Sequence, residues 1–220
     1  MIQDPEYIIG IDESGTGAYA GPFTVCAFMA HASHAGWIRQ LGARDSKTCS
    51  KARREYLAEQ LAASAVIADI VVVPHSYLDQ RVAWREAVKK AVRHCLGAIE
   101  HDPSNVLVQI DGTLDAPLWD WMSKSWKLGA EFIPRGDAKI PAISAASIYA
   151  KTTRSTLMRD AHQAYPVYGW DKNDGYGTED HRAAIAKHGI CPLHRRIRPL
   201  LPYFEHAVCH HARGAPRDAE

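Results

Sequence analysis

The stretch YIIGIDESGTGAYAGPFTVCAFMA, residues 7–30, joins two apolar runs through a turn that contains three glycines. The runs YIIGIDES (7–14) and FTVCAFMA (23–30) have the length and composition of buried strands, and the glycines relax the backbone between them. The stretch therefore predicts a hairpin-like opening, whose first strand ends at the acids Asp12 and Glu13.

Beyond this opening, apolar patterning predicts three more strands and four helices. The strands are expected at 65–74, 105–112 and 128–134, and the helices at 51–63, 77–100, 141–165 and 179–188. Ser50 is expected to cap the first of these helices, and Gly189 lies beyond the end of the last. This mixture of strands and helices predicts an α/β fold, and the hairpin-like start argues against an all-parallel sheet.

Two of these elements carry a burial prediction. The β-branched run at 65–74 is expected to form a buried strand that Pro74 ends. The helix over 77–100 is expected to bury an inner face formed by Leu78, Val82, Val88, Val92 and Leu96.

Composition and charge indicate an ordinary globular chain. Of its 220 residues 46% are hydrophobic and 23% are charged, and the formal net charge is +1. Residues 1–205 are expected to form one domain, and the small, polar residues 206–220 a mobile tail. With so little net charge, binding to nucleic acid would need a local basic surface.

The cysteines and the N-terminus bear on the compartment. The five cysteines include no CxxC pair, and the sequence MIQDPEYIIG lacks the features of a signal peptide. No apolar run approaches the length of a membrane span. We therefore expect a cytoplasmic protein with reduced thiols.

Acidic residues lie at or just after the ends of three predicted strands: Asp12 with Glu13, then Asp111, and then Asp137 in the turn after the fifth strand. Acids at strand ends can converge although they are far apart in the chain. About four carboxylates can hold two hard divalent cations, one to activate water and one to stabilise a leaving 3′-oxygen. Taken singly, each acid is more often a solvated turn residue or a helix cap, and the acids alone do not separate a nuclease from a phosphatase.

Seven motifs, in order over roughly residues 7–200, resemble ribonuclease HII: GIDESGTGAYAGP, DSK, IDG, GDAKIPAISAASIYAK, YPVYG, GYGTEDH and HGICPLHRR. The resemblance implies a ribonuclease H-like fold, with a central mixed five-stranded sheet flanked by helices and a helical C-terminal portion. It implies an endonuclease that cuts the RNA strand of RNA–DNA hybrids and ribonucleotides embedded in duplex DNA. Cleavage on the 5′ side of the ribonucleotide would leave 5′-phosphate and 3′-hydroxyl ends, with Mn²⁺ or Mg²⁺ as the cofactor.

The family's catalytic and metal-binding acids fall on Asp12, Glu13, Asp111 and Asp137. The resemblance also implies that the backbone of Gly15, Thr16 and Gly17 contacts the 2′-hydroxyl, the group that distinguishes RNA from DNA. The tyrosine that would stack on the next deoxyribose falls on Tyr176.

The sequence departs from the family pattern at three positions. Thr16 replaces the usual arginine of the turn, and the resulting GTG is typical of the sister family, ribonuclease HIII. Asp137 and Tyr176 favour ribonuclease HII. Ser155 stands where many members have an acid, and Asp174 where lysine is usual, which removes a phosphate contact.

Other residues carry weaker predictions. Phosphate contacts are expected from Lys47, Lys139, Lys151 and Arg154, against the alternative of solvated surface side chains. Arg195 and Arg196 could extend that basic track or pair with surface acids. The small residues 144–147 are expected to allow close packing, with a serine hydroxyl that contacts the nucleic-acid backbone as the alternative. His181 and His194 are expected to be structural, and the His- and Cys-containing tail to hold no physiological metal.

Three alternatives stay open: hybrid cleavage of the ribonuclease HIII type with poor activity on single ribonucleotides, a non-catalytic hybrid-binding protein, and a phosphodiesterase that acts on DNA junctions. The expected partners are RNA–DNA hybrid and ribonucleotide-containing duplex DNA. The end GAPRDAE shows no apolar anchor for a sliding clamp, so we expect no protein partner. A monomer is the default expectation.

Overall fold

A computed structural model describes residues 5–42, 49–63, 65, 67–77, 79–99 and 102–205. Lys47 and the predicted tail at 206–220 lie outside the described residues. The strands are β1 (Tyr7–Ser14), β2 (Phe23–His31), β3 (Ile67–Val73), β4 (Val106–Asp111) and β5 (Gly129–Ile133). The helices are α1 (Ala35–Gln40), α2 (Lys51–Leu61), α3 (Gln80–Gly97), α4 (Ala116–Trp126), α5 (Pro141–Ala164), α6 (Trp170–Asn173), α7 (Glu179–His188) and α8 (Leu201–Glu205).

The five strands form one sheet in the order β3-β2-β1-β4-β5. β1 pairs antiparallel with β2, from Tyr7 opposite His31 to Ser14 opposite Thr24, which confirms the predicted hairpin. β1 pairs parallel with β4, and β4 pairs parallel with β5, so the sheet is mixed, as expected. Parallel pairing brings the carboxyl ends of β1 and β4 to the same edge of the sheet.

The chain divides into two compact units. The described residues of the first fall within 5–14, 24–73 and 79–153, and those of the second within 15–23, 74–77 and 154–205. The first unit contains β1, β3, β4 and β5 with α1 to α4, and the second contains α6, α7 and α8.

In the first unit, β1 and α5 touch at a glycine. A Cβ atom at Gly10 would lie 2.1 Å from the backbone carbon of Ala142 in the first turn of α5. Around this contact, apolar side chains of β2, α1, α2 and α5 form a core: Cys26, Phe28, Ala30, Ile38, Leu57, Leu61, Ala145, Ala146, Ile148 and Ala150. The small residues of α5 pack closely there, as the sequence predicted.

The second unit has a core of its own, rich in aromatic rings. The rings of Tyr168 and Trp170 stack with centroids 5.2 Å apart. Its buried apolar members are Ala20, Met158, Tyr168, Trp170, Ile185, Ile190, Cys191 and Leu200.

Two burial predictions were wrong in part. β3 is an edge strand, so most of its side chains are only half-buried, and Val72 is 44% exposed. On α3, Val82 is 49% exposed, whereas Val88, Val92 and Leu96 are buried as expected. Small side chains complete the buried face in its place: Ala83, Ala87, Ala91 and Cys95. Leu78 lies outside the described residues.

Ser50 caps α2 as predicted, because its hydroxyl accepts from the backbone N–H of Arg53. Helices α1, α4, α6 and α8 were not predicted. α4 begins at a cap formed by Asp115, whose carboxylate accepts from the backbone N–H of Leu118 and from the side chain of Arg85. Within the described part of the chain, every helix is too short or too polar to traverse a lipid bilayer.

Candidate active site

Asp12 and Glu13 are neighbours on β1, and their side chains point to opposite faces because strand side chains alternate. Asp12 is 5% exposed and is hydrogen-bonded by Ser147 of α5. Its Oδ1 also accepts from the backbone N–H of Glu13 at 2.8 Å. On the other face, Glu13 Oε2 accepts from the indole N–H of Trp84 in α3 at 3.2 Å.

Asp111 ends β4, the strand next to β1. Its Oδ1 accepts from the backbone N–H of Gly136 at 2.6 Å. A Cβ atom at Gly136 would lie 2.5 Å from Ile143 Cδ1, so the close turn has little space for a side chain there. The Asp111 charge raises the pKa of both Asp12 and Glu13, which places it in the same electrostatic cluster.

Asp137 lies in a short 3-10 helix between β5 and α5 and is 3% exposed. Its carboxylate Oδ2 lies 4.0 Å from Lys151 Nζ. Its backbone carbonyl accepts from the hydroxyl of Ser144, which ties this turn to the first part of α5.

Lys151 connects the acids from α5. Its Nζ donates to Ser147 Oγ at 2.6 Å, and its charge lowers the pKa of both Asp12 and Glu13. Together with its 4.0 Å contact to Asp137, this makes one lysine a neighbour of three acids. We call Asp12, Glu13, Asp111 and Asp137 the acid cluster.

The acid cluster carries negative charge at an energetic cost. Burial is the main reason that the pKa of Asp12 is raised to about 6. Burial, and then the charge of Asp12, raise the pKa of Glu13 to about 7. Both effects disfavour the ionised carboxylates, and a nearby cation would reverse them.

Within the residues that the structure describes, no three His, Cys, Asp or Glu side chains already stand as a set of ligands for one metal ion. The chemistry of the donors nevertheless fits a hard divalent cation, because all are carboxylate oxygens and two of them have raised pKa values. Binding would require the side chains to close around the ion.

Sequence reasoning missed the groups that hold these acids. Ser144 and Ser147 were expected to pack, or else to contact the nucleic-acid backbone, but each forms a hydrogen bond that holds an acid or its turn. Trp84 is not part of any sequence motif, and its hydrogen bond to Glu13 depends on its position on α3.

Of the lysines predicted to contact phosphate, Lys139 donates from Nζ to the carbonyl of Pro134 at 2.7 Å. It also lines a cavity of about 250 Å³. The full lining is Ile38, Arg39, Ala138, Lys139, Ile140, Pro141 and Ser144. One lining residue, Ala138, directly follows Asp137 in the sequence. The charged residues of the lining, Arg39 and Lys139, are both basic.

In the second unit, the predicted glycine-rich turn has the backbone conformation that glycine allows. Gly15 has a φ of +92°, and a Cβ atom there would lie 1.9 Å from Arg154 Nε. At Gly17, by contrast, a Cβ atom would meet nothing within 4 Å. Tyr176 is 39% exposed, and the guanidinium of Arg154 lies 5.0 Å from the centre of its ring.

Two arginines that were predicted to lie on a basic surface are buried instead. Arg154 and Arg195 are each 1% exposed and donate to backbone carbonyls, so neither is a surface phosphate contact nor the partner of a surface acid. Arg196 is exposed and lies over the ring of Phe204 at 5.3 Å.

Two of the departures from the family pattern touch each other. Ser155 Oγ donates to Asp174 Oδ2 at 3.1 Å. The acid expected at 155 and the lysine expected at 174 are thus replaced by a hydroxyl and a carboxylate that form a hydrogen bond instead.

His181 and His194 are buried, as their predicted structural role requires. The indole N–H of Trp170 donates to His181 Nε2 at 3.0 Å, and His181 Nδ1 lies 2.9 Å from the carbonyl of Tyr176. Burial lowers the pKa of both histidines, to about 4 for His194, so both are neutral near pH 7. His181 therefore holds the backbone carbonyl of Tyr176, and His194 accepts from the backbone N–H of Cys191, without either ring adding charge.

Comparisons with known proteins agree with this architecture. A profile of the family described as Ribonuclease HII matches residues 9–200. Ribonuclease HII of Thiobacillus denitrificans is 37% identical over 201 residues, which cover 90% of this chain and 91% of that protein.

Two solved structures are similar to the chain. RNase HII of Archaeoglobus fulgidus, solved as a PCNA:RNase HII complex, aligns with a TM-score of 0.71 and 25% identity over 87% of this chain and 94% of that one. Ribonuclease H2 of Pyrococcus horikoshii aligns with a TM-score of 0.73 and 22% identity over 91% of this chain and 98% of that one. The second likeness supports the fold alone.

Proposed function

The chain belongs to the ribonuclease HII family and is therefore a ribonuclease H, an endoribonuclease, and we propose that it cuts at ribonucleotides embedded in duplex DNA as well as in RNA–DNA hybrids. Cleavage on the 5′ side of the ribonucleotide would leave 5′-phosphate and 3′-hydroxyl ends. The observation that carries the proposal is the acid cluster. In it the charge of Asp111 raises the pKa of Asp12 and Glu13, and Lys151 contacts Asp137.

The acid cluster would hold divalent cations, Mn²⁺ or Mg²⁺, through Asp12, Glu13, Asp111 and Asp137. When bound, such ions supply an activated water and stabilise the leaving 3′-oxygen. Ser147 and Trp84 orient Asp12 and Glu13, and the backbone N–H of Gly136 orients Asp111.

The ribonucleotide would be recognised by the backbone of Gly15, Thr16 and Gly17. The open space beside Gly17 supports a close approach of a sugar to this backbone. The half-exposed ring of Tyr176 would stack on the deoxyribose that follows the ribonucleotide. Lys139 and Arg39 of the cavity next to Asp137 are suitable for a backbone phosphate.

Thr16 favours a second candidate, cleavage of the ribonuclease HIII type. Such an enzyme would cut hybrids with several ribonucleotides and would act poorly on a single one. The two candidates share the acid cluster and differ in the turn.

A three-substrate assay tests the proposal. Duplex DNA with one ribonucleotide, a hybrid with a run of ribonucleotides, and an all-DNA duplex are each incubated with the protein in Mg²⁺ and in Mn²⁺. We expect both ribonucleotide substrates to be cut and the all-DNA duplex to stay intact. Cleavage of the hybrid alone would select the second candidate, and cleavage of the all-DNA duplex would contradict recognition of the 2′-hydroxyl.

The proposed binding partners are ribonucleotide-containing duplexes. The Archaeoglobus fulgidus RNase HII was solved in complex with PCNA. For this chain, a monomer without a protein partner stays a prediction, which size-exclusion chromatography with light scattering would test.

A further inference from the structure

The turn at Gly15–Gly17 belongs to a loop that two buried arginines hold from inside the second unit. Arg154 donates from Nε to the carbonyl of Pro22 at 3.0 Å and from Nη2 to the carbonyl of Ala20 at 3.3 Å. Both acceptors are backbone atoms of the loop that carries the turn.

Arg195 holds the same loop at other points. Its Nε donates to the carbonyl of Gly21 at 2.8 Å, and its Nη1 donates to the carbonyl of Thr16 at 3.1 Å. Its backbone N–H donates to the carbonyl of Tyr19 at 2.8 Å. The Thr16 contact falls on the middle residue of the turn.

Buried guanidinium groups are costly unless hydrogen bonds replace water. Burial lowers the pKa of both arginines, to about 10 for Arg195, where the charge of Arg154 adds to the effect. Among the described residues, Nη2 of Arg195 has no hydrogen-bond acceptor, whereas its Nε and Nη1 both donate to carbonyls of the loop.

Arg154 also reaches the second group proposed to contact the substrate. Its side chain passes over Gly15, where a Cβ atom would lie 1.9 Å from Nε, and its guanidinium lies 5.0 Å from the centre of the Tyr176 ring. One side chain therefore touches both the turn and the tyrosine.

We propose that Arg154 and Arg195 are positioning residues for ribonucleotide selectivity, which fix the backbone of Gly15–Gly17, and through Arg154 the ring of Tyr176, in the arrangement that accepts a 2′-hydroxyl. The proposal rests on the proposed function of that turn. Lysine at either position keeps the charge but donates from one nitrogen atom, so it cannot reproduce the fixed spacing with which two guanidinium nitrogens reach two carbonyls.

Binding measured in an Asp12→Asn background tests this without cleavage. The ratio of the Kd for an all-DNA duplex to the Kd for the same duplex with one ribonucleotide gives the selectivity, in Mg²⁺. We expect Arg195→Lys and Arg154→Lys each to lower this ratio by about tenfold, equivalent to about 1.4 kcal/mol. Because both duplexes meet the same folded population, partial unfolding alone does not change the ratio.

Matched controls are Arg196→Lys and Arg159→Lys, which change exposed arginines close in sequence to the buried pair. We expect both to keep the ratio of the background. If circular dichroism shows that Arg195→Lys and Arg154→Lys are folded and their ratios are unchanged, the proposal is overturned. If the Asp12→Asn background itself shows no preference for the ribonucleotide, the proposed function of the turn fails first, and this inference fails with it.

Discussion

Asp12 shows how one residue combines a strand end, a buried environment and a cluster of charges. Its place after an apolar run made it predictable from sequence, because acids at strand ends recur at sites in α/β sheets. Its partners were not predictable: Ser147 and Lys151 lie on a helix far along the chain, and their spacing there also suits plain packing.

The raised pKa values give a pH dependence with a definite sign. Below the ordinary values of 3.8 and 4.5, Asp12 and Glu13 are protonated in both the folded and unfolded states. Between those values and the folded pKa values of about 6 and about 7, the unfolded chain has released protons that the folded protein keeps, so stability falls as the pH rises and levels off above about 7. Asparagine does not ionise, so in the absence of divalent cations Asp12→Asn should remove the part of this loss of stability that Asp12 causes.

A shift of about two pKa units corresponds to roughly 3 kcal/mol at most, so we expect Asp12→Asn to raise the melting temperature at pH 8 by about 5 °C in EDTA. At pH 4 the two proteins should melt together. Thermal unfolding by circular dichroism measures both. A variant that melts below the wild type at pH 8 would contradict the cost assigned to the charge.

The same melting experiment tests metal binding at the residue scale. Mg²⁺ or Mn²⁺ should raise the melting temperature of the wild type at pH 8, because ligands that bind only the folded state stabilise it. The effect should be smaller in Asp111→Asn, which removes one proposed ligand. Equal shifts in the two proteins would place the ion elsewhere.

At the scale of elements, the contact of β1 with α5 depends on Gly10. We expect Gly10→Ala to destabilise the protein by about 1–3 kcal/mol or more, because its Cβ would lie 2.1 Å from the Ala142 backbone, which cannot move aside as a side chain can. Chemical denaturation measures the change. Gly97→Ala is the matched control, since nothing lies within 4 Å of a Cβ there, and it should be neutral or slightly stabilising. Equal effects of the two substitutions would refute the close contact.

The bond between Ser155 and Asp174 predicts that these positions change together. Asp174→Lys alone should lower stability, because it removes the acceptor of Ser155 and places a positive charge near the buried Arg154, whose pKa Asp174 now raises. Adding Ser155→Asp should recover most of the loss. A denaturation cycle of the two single variants and the double variant gives the coupling energy, and strictly additive effects would show that the positions are independent.

Strands and long helices could be predicted from apolar patterning because their periods are distinct, as β1, β2 and α5 show. The half-burial of β3 could not, because a β-branched run looks alike in a central and an edge strand. α4 was missed because its buried face within the described residues reduces to Leu118 and Met122, too few for a visible period.

For the whole molecule, a net charge of +1 means that bulk attraction to nucleic acid is weak, so local charges decide binding. We expect duplex affinity to fall when Mg²⁺ is removed, because the acid cluster then repels phosphates. Asp12→Asn should narrow this difference between the two conditions. Fluorescence anisotropy measures the duplex affinity with and without Mg²⁺. If the affinity of the wild type is the same in both conditions, that result would argue against cations bound at the acid cluster.

The alternation of side chains along β1 gives the order of its two acids an evolutionary consequence. Asp12 accepts a hydrogen bond from α5, and Glu13 accepts one from α3. Exchanging the two residues would leave charge and composition unchanged, but each helix would then face an acidic side chain of the wrong length. A single-residue insertion before them would send both to the opposite helix. Lineages that keep this chemistry must therefore inherit the pair in fixed order, at a fixed distance from the glycine at residue 10 that seats the strand against its helix.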